Sequence, residues 1–313
     1  MNQVTVIGSI NLDRTLRVPQ MAQLGATMHV KEVFTAGGGK GANQAIAASR
    51  LGATTHFIGA VGEDQEVSKM MLTLLEEADI DCTGIAQLPN QNTGQAFVIV
   101  TDSGDNMIYV HGGANMAFKP DHVTAHAEML AASDFVVAQF ETPFDCTAEA
   151  FRIARAHHRG TILNPAPAIT DVPDDLLALT DIIVPNETEA EILTGIPVTD
   201  EDSMAQVAAK LHARGVATVL LPWGAGERFI APRRPVVSFP LSRLRPLTRR
   251  PRGTPSLGPS AVCCTPTRIT WSRQLSSVTG RRQLPCSGLA PSRRFRISGR
   301  CNLTINNPQR SFS

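Results

Sequence analysis

The last 86 residues of this 313-residue chain contain no aspartate, glutamate, lysine or histidine. All 28 acidic residues lie at or before Glu227, whereas the stretch from Arg228 to Ser313 carries 17 arginines. Residues 1–227 hold 12 basic against 28 acidic side chains, so a formal net charge of +1 hides two oppositely charged parts. This absence excludes a carboxylate general base from the C-terminal part of the chain.

Other absences limit the class of protein. No run of about 18 or more apolar residues occurs, so the sequence predicts no transmembrane helix and no membrane partner. The N-terminal stretch MNQVTVIGSI has no basic region before an apolar core, which is not typical of a signal peptide. The six cysteines form no CxxC pair, so a zinc site is not expected. We therefore expect a reduced, cytoplasmic protein.

The most informative stretch is residues 37–45, which read GGGKGANQA. Glycines let a backbone approach a ligand closely, and residues 42–51, which follow, are rich in helix formers. The unpaired N–H groups and positive dipole end of a helix N-terminus can bind hydroxyl or anionic groups. Lys40 and Asn43 add a cation and an amide. A tight structural turn is the alternative interpretation.

Strand-like and helix-like segments alternate along residues 1–221 and predict an α/β fold, in which helices cover both faces of a mostly parallel sheet. The predicted strands are 4–8, 55–62, 135–140, 161–164, 181–185 and 216–221, and the predicted helices are 42–51, 70–78, 148–157, 186–193 and 204–214. Residues 102–106 read DSGDN between two apolar runs, which is typical of a hairpin. Because this hairpin interrupts the alternation, we expect a small lid sheet at about residues 11–36 and 93–111.

Five stretches together resemble the ribokinase/PfkB carbohydrate kinase family. They are residues 8–13 (GSINLD), 37–45, 112–115 (GGAN), 164–168 (NPAPA) and 185–191 (PNETEAE). The resemblance covers about residues 1–221 and implies a ribokinase-like three-layer fold with a small β lid. It implies ATP-dependent phosphorylation of D-ribose at its 5-hydroxyl, with Mg²⁺ carrying the nucleotide and a monovalent cation such as K⁺ in the intact family site. It also implies a homodimer that pairs through the lid sheet.

The same resemblance assigns roles to individual residues. Those that would bind the sugar are Asn11, Asp13, Gly38, Gly39, Lys40, Asn43 and Glu141. Asn186 and Glu189 match the family's NxxE element, which acts at the ATP phosphates, and Glu189 would hold Mg²⁺ through a water molecule.

Three of these residues have a purely structural alternative. Asp13 can cap a turn, Glu141 can be a solvated strand end, and Asn186 can be a plain helix N-cap. The sequence by itself leaves both interpretations open for each residue.

The resemblance ends after residue 221. The family carries its catalytic aspartate in a GAGD-type motif ahead of a helix, and this chain has no such motif, so no catalytic residue is assigned. A shifted reading frame explains the difference. In the neighbouring frame, the codons of residues 222–229 permit TLGRGGAF and those of residues 247–256 permit VDTTAAGDTF. The missing aspartate would then fall at Thr254.

Two other interpretations of the C-terminal segment (residues 222–313) remain. Arginines can bind nucleic acid through its phosphates, although here they are scattered without a motif or interleaved aromatics, so nucleic acid is not an expected partner. A regulatory or disordered extension is the second.

For function, we expect a ribose kinase whose present chain has little or no activity and a compromised fold. The alternatives are another pentose, deoxyribose or nucleoside kinase of the family, or a catalytically dead sugar-binding remnant.

Overall fold

The computed structural model describes residues 2–223, 227–232, 293–297 and 301–305. The rest of the C-terminal segment lies outside the described residues. The expectations for it, including the position of the missing aspartate at Thr254, are therefore not addressed by the structure.

Eight strands form one large sheet, in which every neighbouring pair is parallel except the pair at one edge. From that edge they run in the order β12 (Glu227–Pro232), β11 (Thr218–Trp223), β10 (Ile182–Ile183), β9 (Gly160–Leu163), β8 (Phe135–Ala138), β1 (Gln3–Ile7), β4 (Thr54–Gly62) and β5 (Ile80–Leu88). The mostly parallel α/β fold predicted from the sequence is thus confirmed.

Helices lie on both faces of this sheet. They are α1 (Lys40–Arg50), α2 (Gln65–Glu76), α3 (Ala114–Ala117), α4 (Pro120–Thr124), α5 (Ala127–Ala132), α6 (Phe144–Ala156), α7 (Asp174–Ala178), α8 (Glu187–Thr194) and α9 (Glu201–Ala213). Successive strand residues point to opposite faces, so Val136 and Val137 of β8 belong to two different buried clusters. One cluster includes Phe151 of α6, and the other includes Met71 of α2. Burial on both faces explains why the central strands are continuously apolar.

A second sheet has four strands in the order β3 (Glu32–Gly38), β2 (Asn11–Val18), β6 (Gly94–Thr101) and β7 (Asn106–His111). Strands β6 and β7 pair antiparallel, with Val100 opposite Asn106, so the predicted hairpin is confirmed. Every residue of the edge strand β7 is exposed. The division of the chain into a main domain and a lid stays a prediction.

Several elements differ from the sequence-based expectations. Strand β5 was not predicted, because its alternation is broken by Asp81 and Gly84 and it lies at a sheet edge where only part of it is buried. Strand β2 begins at Asn11, a residue that the sequence placed in a polar stretch beyond β1. Beyond the predicted end at residue 221, β12 pairs antiparallel with β11, and Phe229 packs against the core.

The stretches Arg293–Ile297 (β13) and Cys301–Ile305 (β14) form a two-stranded antiparallel sheet. Among the described residues, no helix has both the length and the apolar character needed to cross a membrane.

Candidate active site

The site forms where the chain passes from β1 to β2 and from β3 to α1. At this point Gly39 has φ 92°, and a Cβ there would lie 2.6 Å from the carbonyl oxygen of Ser9. A Cβ at Gly41 would lie 2.6 Å from the Ser9 nitrogen. The amide of Ala42 donates a hydrogen bond of 3.0 Å to the Ser9 carbonyl. Two backbone segments therefore meet directly, and only glycine fits at both positions.

Glu141 is held at the start of α1. One carboxylate oxygen accepts hydrogen bonds from the Ser9 hydroxyl at 2.5 Å and from the Lys40 backbone N–H at 3.1 Å. Its other oxygen lies 3.8 Å from Nζ of Lys40. The Glu141 side chain is only 15% exposed. Glu141 is thus bound at a helix N-terminus, where the helix dipole favours a carboxylate, rather than being a solvated strand end.

Ser9 is a residue that the sequence analysis did not assign to the site. It is fully buried, and its hydroxyl both accepts from the Gly41 N–H at 3.4 Å and donates to Glu141. This arrangement fixes the orientation of the Glu141 carboxylate. Its place in the GSINLD stretch was the available signal, but a serine beside a glycine is also common in turns.

Asp13 lies on β2 opposite Ala36, with its carboxylate against Gly38. A Cβ at Gly38 would lie 2.1 Å from a carboxylate oxygen of Asp13, so the glycine makes room for it. Burial, followed by the charge of Glu141, raises the pKa of Asp13 to about 6, and Lys40 opposes this increase. Among the described residues the Asp13 carboxylate has no hydrogen-bond donor. A partly buried carboxylate of this kind is suited to accept hydrogen bonds from a ligand.

Lys40 and Asn43 lie three residues apart on the first turn of α1, which places them on the same side of the helix. Lys40 is half-buried, and its charge acts on Asp13. Asn43 is half-buried, and its backbone N–H donates to the Gly39 carbonyl at 2.9 Å. The structure thus brings the predicted residues of the 37–45 stretch to one helix terminus.

Asn186 and Glu189 form a reciprocal cap at the start of α8. The Glu189 N–H donates to the Asn186 side chain at 2.7 Å, and the Asn186 N–H donates to the Glu189 carboxylate at 2.8 Å. Burial raises the pKa of Glu189, against the lowering effects of the Asn186 hydrogen bond and of Lys40. The structural interpretation of Asn186 as an N-cap is therefore correct for its geometry. The charge of Lys40 lowers the pKa of both Asp13 and Glu189, against the raising effect of burial.

Comparison with known proteins identifies the family. The profile of the pfkB family carbohydrate kinases matches residues 1–226. The chain belongs to this family. It is 47% identical over 231 residues to the ribokinase of Staphylococcus aureus, covering 74% of this chain and 75% of that one. It is 41% identical over 228 residues to the ribokinase of Haemophilus influenzae, covering 73% and 74% respectively.

A solved structure shows the same fold. The ribokinase of Arabidopsis thaliana complexed with ribose and ATP is 30% identical and superposes with a TM-score of 0.69, over 74% of this chain and 76% of that one. Family membership makes this protein a kinase, a phosphotransferase with an alcohol group as acceptor. The profile match ends at residue 226, next to the last acidic residue of the chain.

Replacement of Asp13 by asparagine should increase the stability of the chain above pH 6 and change it little near pH 4. The pKa of Asp13 in the folded chain, about 6, lies above its ordinary value of 3.8. The folded state therefore binds the proton more tightly, and the stability of the parent falls as the pH rises through this interval. Asparagine cannot ionise and removes this loss. Melting temperatures of Asp13→Asn and the parent between pH 4 and pH 8 check the prediction.

The matched control is Asp171→Asn, because Asp171 is exposed and lies in a loop. Its melting temperature should follow that of the parent across the same pH range. A difference between Asp13→Asn and the parent that does not change with pH would contradict the prediction.

Proposed function

We propose that this chain derives from an ATP-dependent kinase that phosphorylates D-ribose at its 5-hydroxyl. The observation that carries the proposal is the cluster of Asp13, Lys40 and Glu141 at the N-terminus of α1, where the Asp13 carboxylate has no donor among the described residues. The named relatives support the choice of sugar, since they are ribokinases at 41–47% identity. The Arabidopsis ribokinase, a more distant relative, was solved with ribose and ATP.

A polyol requires several fixed donors and acceptors, because each hydroxyl must exchange its hydrogen bonds with water for others in the site. In the proposed site, Asp13 and Glu141 accept and the Lys40 ammonium donates. Asn11 and Asn43 add amides, while Gly38 and Gly39 allow the sugar to approach the backbone. A site built in this way discriminates strongly against analogues that lack a hydroxyl.

The residues at the start of α8 fit the phosphate end of the nucleotide. Glu189 offers one carboxylate at the start of α8. This donor set suits Mg²⁺, which usually keeps several waters and binds through one or two carboxylates and the substrate phosphates. When bound, Mg²⁺ would neutralise charge on the transferring phosphoryl group. Lys40 would add a positive charge between the sugar and the phosphates. A K⁺ site remains a prediction from the family.

The chain as written lacks the aspartate that would take the proton from the sugar hydroxyl. We therefore propose that it retains the sugar-binding residues and has lost most of its catalytic activity through a shifted reading frame after residue 221. Deoxyribose is an alternative substrate, since the chain is 32% identical over 221 residues to the deoxyribokinase of Salmonella typhi. A nucleoside is a further alternative, and a sugar-binding remnant without activity is the rival outside the enzyme class.

D-ribose should raise the melting temperature of the present chain, because a ligand that binds only the folded state stabilises it. The reference for activity is a chain expressed from a gene in which the reading frame is restored after codon 221. With ribose and ATP, the present chain should release ADP about 10²–10⁴-fold more slowly than this reference, because loss of a general base removes about that factor. Deoxyribose and a nucleoside, tested in the same melting assay, separate the alternative substrates.

Three results would contradict these proposals. Equal turnover of the present and frame-restored chains would contradict the proposed loss of activity. A larger shift with deoxyribose or a nucleoside would replace ribose as the substrate. Coding DNA that is uninterrupted around Leu221, with related sequences that share this C-terminal segment, would refute the frameshift.

Replacement of Glu189 by glutamine tests the phosphate end in the frame-restored chain. Glutamine also completes a capping box, so the melting temperature should be unchanged, whereas loss of the carboxylate should lower activity by about 10–100-fold. The control is Asp200→Asn, which also exchanges a carboxylate for an amide in a helix cap, at the start of α9, and should leave activity unchanged. Unchanged activity in Glu189→Gln at several Mg²⁺ concentrations would show that Glu189 serves only as a cap.

We also propose that two copies pair through the four-stranded sheet, in the cytoplasm. The cytoplasmic proposal is supported by Cys82 and Cys146, which are free thiols among the described residues. The pairing is supported by exposed apolar side chains that share one face at the two edges of this sheet, namely Phe34 (39% exposed), Ile108 (55%) and Val110 (57%). An apolar patch on a sheet of this kind is typical of a protein interface.

The substitution Ile108→Asp should shift the chain from dimer to monomer in sedimentation velocity, because the new charge would have to be desolvated in the interface. Ile192→Asp is the control, since Ile192 is an exposed apolar residue on α8, away from this sheet. A parent that sediments as a monomer would refute the dimer.

A further inference from the structure

The GGAN stretch at residues 112–115 has no role in the site described so far. Its last residue, Asn115, lies in α3 and is only 1% exposed. Its side chain nevertheless contacts a part of the chain about one hundred positions earlier. The Ile10 N–H donates to Oδ1 of Asn115 at 3.0 Å, and Nδ2 of Asn115 donates to the Ile10 carbonyl at 3.1 Å. A second hydrogen bond from the same Nδ2, of 2.8 Å, goes to Oδ1 of Asn11.

The orientation of both amides follows from backbone chemistry. A backbone N–H can only donate and a backbone carbonyl can only accept, so the two contacts with Ile10 fix which side-chain atom of Asn115 is oxygen and which is nitrogen. The nitrogen has two hydrogens, of which one goes to the Ile10 carbonyl. Its second neighbour, 2.8 Å away on Asn11, must therefore be an acceptor. Asn11 consequently has its oxygen turned towards Asn115.

The nitrogen of the Asn11 amide is thereby left for another partner. This nitrogen makes no hydrogen bond with the described residues. It is also not fully enclosed by them. Asn11 and Asp13 are two positions apart on β2, so they lie on the same face of the strand. A donor from Asn11 and an acceptor from Asp13 thus stand side by side, which is the pattern that hydroxyl groups can satisfy.

We propose that Asn115 is a positioning residue that holds the Asn11 amide with its nitrogen towards the sugar, so that Asn11 acts as a hydrogen-bond donor to a hydroxyl oxygen. The proposal rests on the proposed sugar-binding function and adds a residue to it. Asn115 does not itself touch the ligand and acts only through Asn11.

The packing around this amide pair requires glycine at two neighbouring positions. A Cβ at Gly94 would lie 2.2 Å from both Oδ1 of Asn11 and Nδ2 of Asn115. Gly113, with φ 51°, would place a Cβ 2.3 Å from the Asn92 carbonyl, and the Ala114 N–H donates to that carbonyl at 2.8 Å. The two small residues before Asn115 thus fix its backbone, which explains why the motif contains glycine at this position.

A double-mutant cycle on the full chain tests the proposal, with D-ribose affinity measured by calorimetry at a temperature where every variant is folded. Asn115→Ala should weaken ribose binding by about 3- to 10-fold, the usual effect of losing one hydrogen bond. In an Asn11→Ala background the same change should have no further effect, because no amide is left to orient. If Asn115→Ala does not fold, Asn115→Ser enters the same cycle, since its shorter side chain cannot bridge Ile10 and Asn11 together.

The control is Ser133→Ala, which removes buried hydrogen bonds to Thr5 and Met129 next to β8. It should lower the melting temperature and leave ribose affinity unchanged. An equal loss of affinity from Asn115→Ala in both backgrounds, or none in either, would overturn the positioning role while leaving the proposed function intact. Absence of ribose binding by the parent chain would overturn the proposed sugar binding and this inference together.

Discussion

The direct contact between two backbone segments, residues 8–11 and 38–42, is the constraint on which the rest of the site depends. No side chain separates them, because Gly39 and Gly41 approach Ser9 more closely than any Cβ would allow. This contact brings the first turn of α1 beside the beginning of β2. As a result, the Lys40 N–H reaches Glu141 and the Asp13 carboxylate lies against Gly38. A larger side chain at either glycine would separate the groups that we propose bind the sugar.

The electrostatics of the site follow from this proximity. Two carboxylates, Asp13 and Glu141, share the charge of one nearby lysine, and the partial burial of Asp13 together with Glu141 keeps its pKa high. Such an arrangement is unfavourable for folding and persists because the surrounding backbone holds it in place. It also gives an anionic acceptor that is already partly desolvated. We propose that sugar hydroxyls replace water there at little further cost, which is the property that a polyol site requires.

The residues of the site differ in whether their roles could be predicted from neighbouring sequence or depend on contacts with distant parts of the chain. The residues of the 37–45 stretch were predictable, because glycines followed by helix formers imply a helix N-terminus whatever surrounds it. Ser9 and Asn115 were not assigned roles, because each acts on a residue about one hundred positions or more away. Asn186 and Glu189 form a reciprocal helix cap in the structure. This cap is compatible with the phosphate-binding role that the family resemblance implies. Strand β5 was not predicted, because an edge strand buries too few of its side chains to require a clear apolar pattern.

The sequence by itself determined the α/β alternation, the family motifs and the absence of any carboxylate after Glu227, since all of these are properties of local order and composition. Only the tertiary structure decided that Ser9 orients Glu141, that Lys40 acts on both Asp13 and Glu189, and that Asn115 fixes the amide of Asn11. The physical reason is that hydrogen bonds and charge interactions depend on distance in space. The packing of glycine backbones, rather than proximity along the chain, sets those distances here.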